Sequence, residues 1–320
     1  MKDRVIPPAL APAYQQCREV HREHSRTSYL ATSLLPRERR PHVWAVYAFA
    51  RTSRDLVDRP RSDPREALPA WRHAVLSALA SDTPPGPVAP PAPGAPPGPG
   101  APPGPTAPPV LAGPPVLAAL WHTQRVVGLP GDLFEDYLGS LVMDLTVTRY
   151  ATWEDLRGYM SGSAAALGEM MAPLFGATDP AVRPRARALG EAFHFTTVVR
   201  DIAEDLARGR VYLPEEDLAA HGVTADDLAR SVASRRPDDA VRSLVTAEVE
   251  RGLALYEEAM PGLALVDARS RAGLQTAFSL YREVLVEVGR QDGNVFDGRV
   301  RASRAARAAT VARVLRRRGR

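Results

Sequence analysis

The chain has 320 residues, of which 45% are hydrophobic and 24% charged, with a formal net charge of +4; this balance is typical of globular proteins rather than disordered or membrane-spanning ones. Cys17 is the only cysteine, which excludes an intrachain disulfide and a zinc site built from cysteines. No segment has the apolar run of a signal peptide or of a membrane-spanning helix, so we expect a cytoplasmic protein.

Apolar residues recur every three or four positions along most of the chain, which predicts helices, whereas few stretches alternate as strands do. Thr152 with Asp155, and Asp132 with Glu135, have the spacing of helix N-termini. We therefore predict an all-α fold, a single helical bundle around a central cavity. The predicted helices span residues 13–32, 40–58, 65–81, 116–128, 131–148, 152–175, 181–208, 224–233, 237–259, 262–289 and 302–318.

A proline-rich segment interrupts this pattern at residues 83–116, which contain sixteen of the thirty-one prolines. Proline at this density excludes helix and central strand. Glycine does not recur at every third position, so a collagen-like structure is excluded as well. We interpret the segment as a disordered insertion within one domain that spans residues 1–320. A linker between two domains is the alternative.

An arginine four residues before an aspartate stands out in ARTSRDLVD, residues 50–58. On a helix Arg54 and Asp58 share one face. The pattern fits either a carboxylate pair in which one member is replaced, or a charged helix surface.

The strongest chemical signal is the acidic stretch in FTTVVRDIAEDLARGRVYLP, residues 195–214. Asp201 and Asp205 are four residues apart, so on a helix both carboxylates face one way, and Glu204 adds a third acid. A divalent cation would relieve this repulsion, and Mg²⁺ combines carboxylates with phosphate oxygens. Three arginines flank the acids and could neutralise them or hold phosphate: Arg200, Arg208 and Arg210. A solvent-exposed, salt-bridged helix face is the alternative.

Small residues dominate GYMSGSAAALGEMM, residues 158–171. They would let another helix, or a bulky apolar ligand, approach this helix closely. The sequence leaves both interpretations open.

The C-terminal segment, residues 299–320, carries nine arginines and no acid. Such a segment favours an anionic surface, and an anionic membrane face is one candidate. The aromatic or motif context of a nucleic-acid-binding module is missing, so we predict no nucleic acid partner. A basic helix end that only aids solubility is the other interpretation.

Taken in order, several of these segments resemble the bacterial phytoene synthase and squalene synthase family. They are HSRTSYLATSLLP (24–36), YAFARTSRDLVD (47–58), MDLTVTRY (143–150), GYMSGSAAALGEMM, VVRDIAEDLARGRVYLP and LYREVLVEVGRQDGNVFDGRVR (280–301). The resemblance covers nearly the whole chain outside the proline-rich segment. It implies the isoprenoid synthase fold, in which two aspartate-rich helices hold Mg²⁺, or alternatively Mn²⁺, against the diphosphates of two prenyl substrates.

The resemblance also implies roles for individual residues. Metal binding is implied for Asp201, Asp205, Asp58 and Thr197, and catalysis for Asp201, Asp205, Arg51 and Tyr212. Substrate binding is implied for Ser25, Tyr47, Arg51, Asp55, Asp144, Tyr159, Ala164, Leu167, Gly168, His194, Arg200, Arg210 and Tyr281.

This chain departs from the family pattern at the first acidic motif, which reads DDxxD or DExxD in the family. The first metal-binding carboxylate is replaced by Arg54, and Asp55 cannot take its place because one residue along a helix turns the side chain by about 100°. His194 and Thr197 stand where the family has a glutamine and an asparagine.

Three explanations for Arg54 follow. The arginine could bind diphosphate directly in a site with fewer magnesium ions, or mark an enzyme that handles one prenyl diphosphate. It could also mark a homologue that has lost catalysis.

The resemblance implies a phytoene synthase-like prenyltransferase of carotenoid biosynthesis. Such an enzyme joins two geranylgeranyl diphosphates head to head through a cyclopropyl diphosphate, at the inner face of a membrane. A squalene or presqualene-type synthase that uses farnesyl diphosphate, a terpene synthase that uses one prenyl diphosphate, and a lipid-binding or scaffold homologue are the alternatives.

Overall fold

The fold is made of α-helices, and the computed structural model describes residues 6–85 and 113–318. Within these ranges the helices are α1 Ala11–His24, α2 Arg26–Ser33, α3 Arg40–Asp58, α4 Pro64–Ala80, α5 Gly113–Val127, α6 Asp132–Met143, α7 Trp153–Met160, α8 Ala166–Met171, α9 Val182–Arg200, α10 Ile202–Leu206, α11 Glu215–Ala220, α12 Ala225–Ser234, α13 Asp239–Ala259, α14 Ala268–Arg290 and α15 Arg304–Arg318. The extended structure in this part of the chain is a single bridge between Arg149 and Val211. The predicted all-α fold class is confirmed.

Several predicted helices are divided in the structure. Residues 13–32 break at Ser25, whose side chain accepts the N–H of Ser28 and caps α2. Residues 181–208 break at Asp201, which leaves the helical region of backbone conformation. A π-helical turn, Ser161–Ala165, separates α7 from α8. Helix α11 was not predicted, because it is only a little longer than one turn and too short for a periodic pattern.

Most of the proline-rich segment, residues 86–112, lies outside the described residues, so its interpretation as a disordered insertion stays a prediction. Its C-terminal boundary at residue 116 was wrong, because α5 begins at Gly113. Pro114 and Pro115 fall in the first turn of this helix. There the missing N–H leaves no intrahelical hydrogen bond unmade.

The buried apolar residues form two clusters. One contains residues of α1, α3, α4, α5 and α6, such as Phe49 and Phe134. The other contains residues of α7, α9, α13 and α14, such as Phe195 and Tyr256. A cavity is lined by members of both clusters, among them Val43 of the first and Val198 of the second. The predicted central cavity is therefore present.

The C-terminal basic segment forms α15, which packs against α14. None of the helices in residues 6–85 and 113–318 combines the length and apolar character needed to cross a bilayer.

Two glycines let α9 pack closely against the small-residue segment. A Cβ at Gly168 would overlap the carbonyl oxygen of Ala186, and a Cβ at Gly190 would overlap the carbonyl oxygen of Ala164. Gly168, Ala164 and Gly190 also line the cavity. Close packing against another helix is therefore confirmed for this segment, whereas an apolar ligand along the same segment, where it faces the cavity, stays a prediction.

We expect Gly168→Ala to destabilise the protein by about 1–3 kcal/mol, because the added methyl group must displace backbone of α9. Urea unfolding followed by circular dichroism measures the change. The matched control is Gly158→Ala in α7, where a Cβ meets nothing within 4 Å and alanine is the better helix former. The prediction fails if the two variants have equal stability.

Candidate active site in the central cavity

The cavity has a volume of about 480 Å³ and a polar end and an apolar end. Helix α3 contributes Val43 and Val46 from its first half, and Arg51, Arg54 and Asp58 from its second half. Helix α9 likewise turns from apolar lining residues to acidic ones where it meets α10. The ends of α3 and α10 lie together, because Nη1 of Arg210 donates to Oδ1 of Asp58 at 3.0 Å. The acidic lining residues, Asp58, Asp201, Glu204 and Asp205, therefore gather at one end.

Arg54 is the centre of the polar cluster on the α3 side. Its Nε donates to Oδ2 of Asp58 at 2.9 Å. Its Nη1 donates to Oδ2 of Asp144 at 3.2 Å and to the hydroxyl of Tyr159 at 3.0 Å. Burial would lower the pKa of Arg54, but Tyr159, Asp144 and Asp58 raise it above its ordinary value. The arginine is a permanent cation.

Asp144 is the buried acceptor of this cluster, with a side chain that is 0% exposed. Besides Arg54, the hydroxyls of Tyr159 and Tyr212 donate to its carboxylate, each at 2.9 Å. Its backbone carbonyl accepts Nη2 of Arg210 at 3.1 Å. Burying a carboxylate is costly unless it is paired and hydrogen-bonded, and here it is both.

The other acidic group lies at the junction of α9 and α10. The helix breaks at Asp201, but the N–H of Asp205 still donates to the carbonyl of Asp201 at 2.9 Å. Because that one-turn relation survives, Asp201, Glu204 and Asp205 all line the cavity as the spacing predicted.

Arginines pair with these acids too. Arg200 donates to both carboxylate oxygens of Asp201, at 2.7 and 2.5 Å. Arg299 donates to the same carboxylate at 2.8 Å and lies 3.8 Å from Glu204. Arg208 donates to Asp205 at 3.2 Å. Arg299 and Arg208 are 40% and 33% exposed, so these two arginines can move into solvent.

The two acidic groups differ in how well they fit the Mg²⁺ that the fold family implies. Burial, followed by the charge of Asp201, raises the pKa of Asp205 to about 7, and a bound cation would favour its ionised form. Asp201 and Asp205 therefore fit a divalent ion completed by phosphate oxygens and water.

The α3 side does not fit a metal ion. Burial would raise the pKa of Asp58, but Arg54 and Arg210 lower it overall, so this carboxylate is already neutralised. On either side, residues 6–85 and 113–318 contain no group of three or more His, Cys, Asp or Glu side chains that could hold a metal ion.

His194 and Thr197 lie in the cavity wall between the two ends. Nδ1 of His194 is 3.2 Å from the hydroxyl of Ser163. Burial, followed by Arg54, lowers the pKa of His194 to about 3, so the imidazole is neutral at neutral pH. The hydroxyl of Thr197 donates to the carbonyl of His194 at 2.7 Å, which leaves its oxygen lone pairs available.

Most residues implied by the resemblance line the cavity. They are Tyr47, Arg51, Asp58, Ala164, Leu167, Gly168, His194, Thr197, Arg200, Asp201, Asp205, Tyr212 and Tyr281. Arg51 is paired with Asp55 through two hydrogen bonds of 2.9 and 2.5 Å.

Five residues assigned to substrate binding do not line the cavity. Ser25 caps α2, and Asp55 lies behind Arg51. Asp144, Tyr159 and Arg210 are buried beneath Arg54 and Asp58, which they hold in place. The polar atoms of these three residues bond to protein partners, and their assignment to substrate binding stays a prediction.

Arg299 is one of the cavity residues that the sequence reasoning missed. It had been grouped with the basic C-terminal segment because arginines follow it. Its position directly after Gly298, a glycine with φ of 92°, was the available signal that the chain turns before α15.

The sequence profile of the family described as squalene/phytoene synthase matches residues 21–306. The chain is 30% identical to a chloroplastic phytoene synthase of an Oncidium hybrid cultivar. The match covers 92% of this chain and 66% of the length of that relative. It is 29% identical to the 15-cis-phytoene synthase of Synechococcus elongatus, with 90% of this chain and 87% of that one covered.

Two solved structures are similar to the structure of this chain. A dehydrosqualene synthase in complex with ligand has a TM-score of 0.81 at 25% identity, covering 97% of each chain. Squalene synthase HpnC from Alicyclobacillus acidocaldarius has a TM-score of 0.72 at 29% identity, covering 90% of this chain and 97% of that one.

Asp144→Asn should destabilise the protein by about 3 kcal/mol, because it removes the buried one of the two carboxylates paired with Arg54 and leaves one positive charge of the cluster unbalanced. Tyr212→Phe removes one hydrogen bond to the same carboxylate and should cost about 1 kcal/mol. Urea unfolding measures both.

The control is Glu283→Gln, which faces Arg290 in an exposed pair and should leave the midpoint unchanged. Equal costs for Asp144→Asn and Tyr212→Phe would show that the ion pair does not stabilise the site.

Proposed function

The chain belongs to the squalene/phytoene synthase family, whose members are prenyltransferases, and we propose that it joins two geranylgeranyl diphosphates head to head to give phytoene. Each turnover would break two C–O bonds and release two pyrophosphates and two protons. The first bond to break gives an allylic cation that is captured by the double bond of the second substrate. Loss of one proton then closes the ring to give a cyclopropyl diphosphate, which ionises, opens its ring and loses the second proton.

The observation that carries the proposal is the division of the cavity into a charged end and an apolar end. A prenyl diphosphate has the same division, with a charged head and a long hydrocarbon tail. The apolar end is lined by residues such as Val46, Leu189, Val266 and Leu274, which are the surfaces a prenyl tail would bury.

At the charged end, Asp201 and Asp205 would hold Mg²⁺ or Mn²⁺. When bound, the ion supplies positive charge to the leaving diphosphate. Arg200 and Arg299 are already at these acids, and their guanidinium groups can turn to phosphate oxygens when a cation takes the carboxylates.

The cavity wall suits a carbocation. The ring of Tyr281 stacks on Phe193 with centroids 4.5 Å apart, and both residues line the cavity. Aromatic faces attract cations, and an apolar wall keeps out the water that would trap them. Neutral His194 adds a polar group without adding a positive charge.

A second candidate is favoured by the Arg54 cluster, which occupies one of the two acidic sides. In this case the enzyme would ionise one prenyl diphosphate in each reaction, as a terpene synthase does.

We extend the proposal to location and partners. The enzyme would be cytoplasmic and bind the inner face of a membrane, where its substrates and product dissolve, and it would not bind nucleic acid. Exposed arginines of α15, such as Arg313 and Arg316, would contribute about 1 kcal/mol each at an anionic surface. Deleting residues 304–320 should reduce sedimentation with anionic liposomes, and unchanged sedimentation would contradict this contribution.

The activity is tested by incubating the purified protein with geranylgeranyl or farnesyl diphosphate and Mg²⁺ or Mn²⁺, followed by mass spectrometry of the products. We expect phytoene and two pyrophosphates for each hydrocarbon. Asp201→Asn should slow pyrophosphate release at least about 100-fold, whereas Asp226→Asn on the exposed face of α12 should not change it.

Other outcomes distinguish the alternatives. A C30 product would indicate a squalene-type synthase, and one pyrophosphate for each product would indicate a single-substrate enzyme. If neither substrate releases pyrophosphate with either metal ion, the chain is a lipid-binding or scaffold homologue, and the proposal is refuted.

A further inference from the structure

Arg54 is held in one orientation by the protein around it. Its Nε and Nη1 make three hydrogen bonds, to Asp58, Asp144 and Tyr159, which lie on α3, after α6 and on α7. A guanidinium fixed at three points loses little further freedom when it binds a ligand. Its side chain is nevertheless 25% exposed and lines the cavity.

The third nitrogen of Arg54 is available to a ligand. Among the residues that the structure describes, none accepts a hydrogen bond from Nη2 of Arg54. Nε and Nη1 fix the plane of the group, so the direction of the Nη2 hydrogens is fixed as well. An arginine N–H that enters a cavity in this way is suited to a phosphate oxygen.

The charges around Arg54 balance without a metal ion. Asp58 and Asp144 are the two acids, and Arg54 and Arg210 are the two cations. Arg210 is only 10% exposed, so neither cation can move into solvent as Arg208 and Arg299 can. A divalent ion bound to Asp58 would lie beside two fixed guanidinium groups, and like charges at such distances repel by several kcal/mol at intermediate dielectric.

We propose that the α3 side of the cavity is a metal-free diphosphate subsite, in which Nη2 of Arg54 donates directly to a diphosphate oxygen. In this subsite the fixed guanidinium of Arg54 replaces a metal ion. Divalent ions therefore bind only on the side of Asp201 and Asp205. This inference rests on the proposed function for its ligand class, a prenyl diphosphate. It also makes the balance of charge at the subsite independent of the concentration of divalent ions.

The first test measures binding of inorganic pyrophosphate to the full chain by calorimetry in the presence of EDTA. We expect the wild type to bind and Arg54→Met to bind at least about 10-fold more weakly, since it loses a charge-assisted hydrogen bond. Arg54→Lys keeps the charge and should fall between them. Equal affinity of the wild type and Arg54→Met, or no binding by the wild type, would overturn the proposal.

The second test counts Mn²⁺ bound per chain by electron paramagnetic resonance at saturating pyrophosphate. Arg54→Asp restores a carboxylate on the α3 side and should bind at least one more Mn²⁺ than the wild type. Arg72→Asp, an equal change of charge at an exposed position of α4, should bind the same number as the wild type.

If Arg54→Asp does not fold, as judged by circular dichroism, the count is made on Arg54→Met, which removes one repelling charge and should bind at least as many Mn²⁺ as the wild type. Fewer Mn²⁺ on Arg54→Met than on the wild type would overturn the proposal. A wild type that already binds as many Mn²⁺ as Arg54→Asp would overturn the proposal. Neither test needs turnover of a prenyl substrate. A chain that binds pyrophosphate through Arg54 but releases no hydrocarbon would therefore refute the proposed function and leave the subsite standing.

Discussion

The ion pair between Arg54 and the buried carboxylate of Asp144 determines the polar end of the cavity. It joins α3 to the chain after α6, and the hydroxyls of Tyr159 and Tyr212 bring α7 and the segment after α10 to the same carboxylate. A buried charge is stable only when its partners are in place. The positions of four segments therefore depend on this one group, and the orientation of Arg54 toward the cavity follows from it.

The two acidic sides of the cavity consequently have different chemistry. On the α3 side Arg210 is buried and Arg54 is partly exposed to the cavity, and both acids are paired with them, so we propose an anion as the ligand there. At the junction of α9 and α10, two of the three paired arginines are partly exposed and Asp205 has a raised pKa. There we propose a divalent cation bound together with phosphate. The resemblance implies two aspartate-rich motifs that both bind metal ions, whereas the two acidic sides of this cavity differ from each other.

Packing and function share residues in the wall of the cavity. Gly168 and Gly190 are required because backbone lies where their side chains would be, and the π-helical turn before α8 places Ser163 and Ala164 against the enclosed space. Close packing of α8 on α9 joins the apolar wall to the acidic end, which follows directly after α9. The shape of the apolar end therefore depends on these packing contacts as well as on the residues that line it.

The sequence by itself determined the helical fold, the family and the facing of Asp201 and Asp205, because hydrophobic period and one-turn spacing are local properties of the chain. It also identified Arg54 as the departure from the family pattern. Tertiary structure decided what that departure means. Arg54 meets Asp144 across 90 residues and Arg299 meets Asp201 across 98, and no local pattern encodes such pairs. For the same reason the sequence placed Asp144, Tyr159 and Arg210 at the substrate, whereas folding buries them behind Arg54, where their hydrogen bonds are used to hold it.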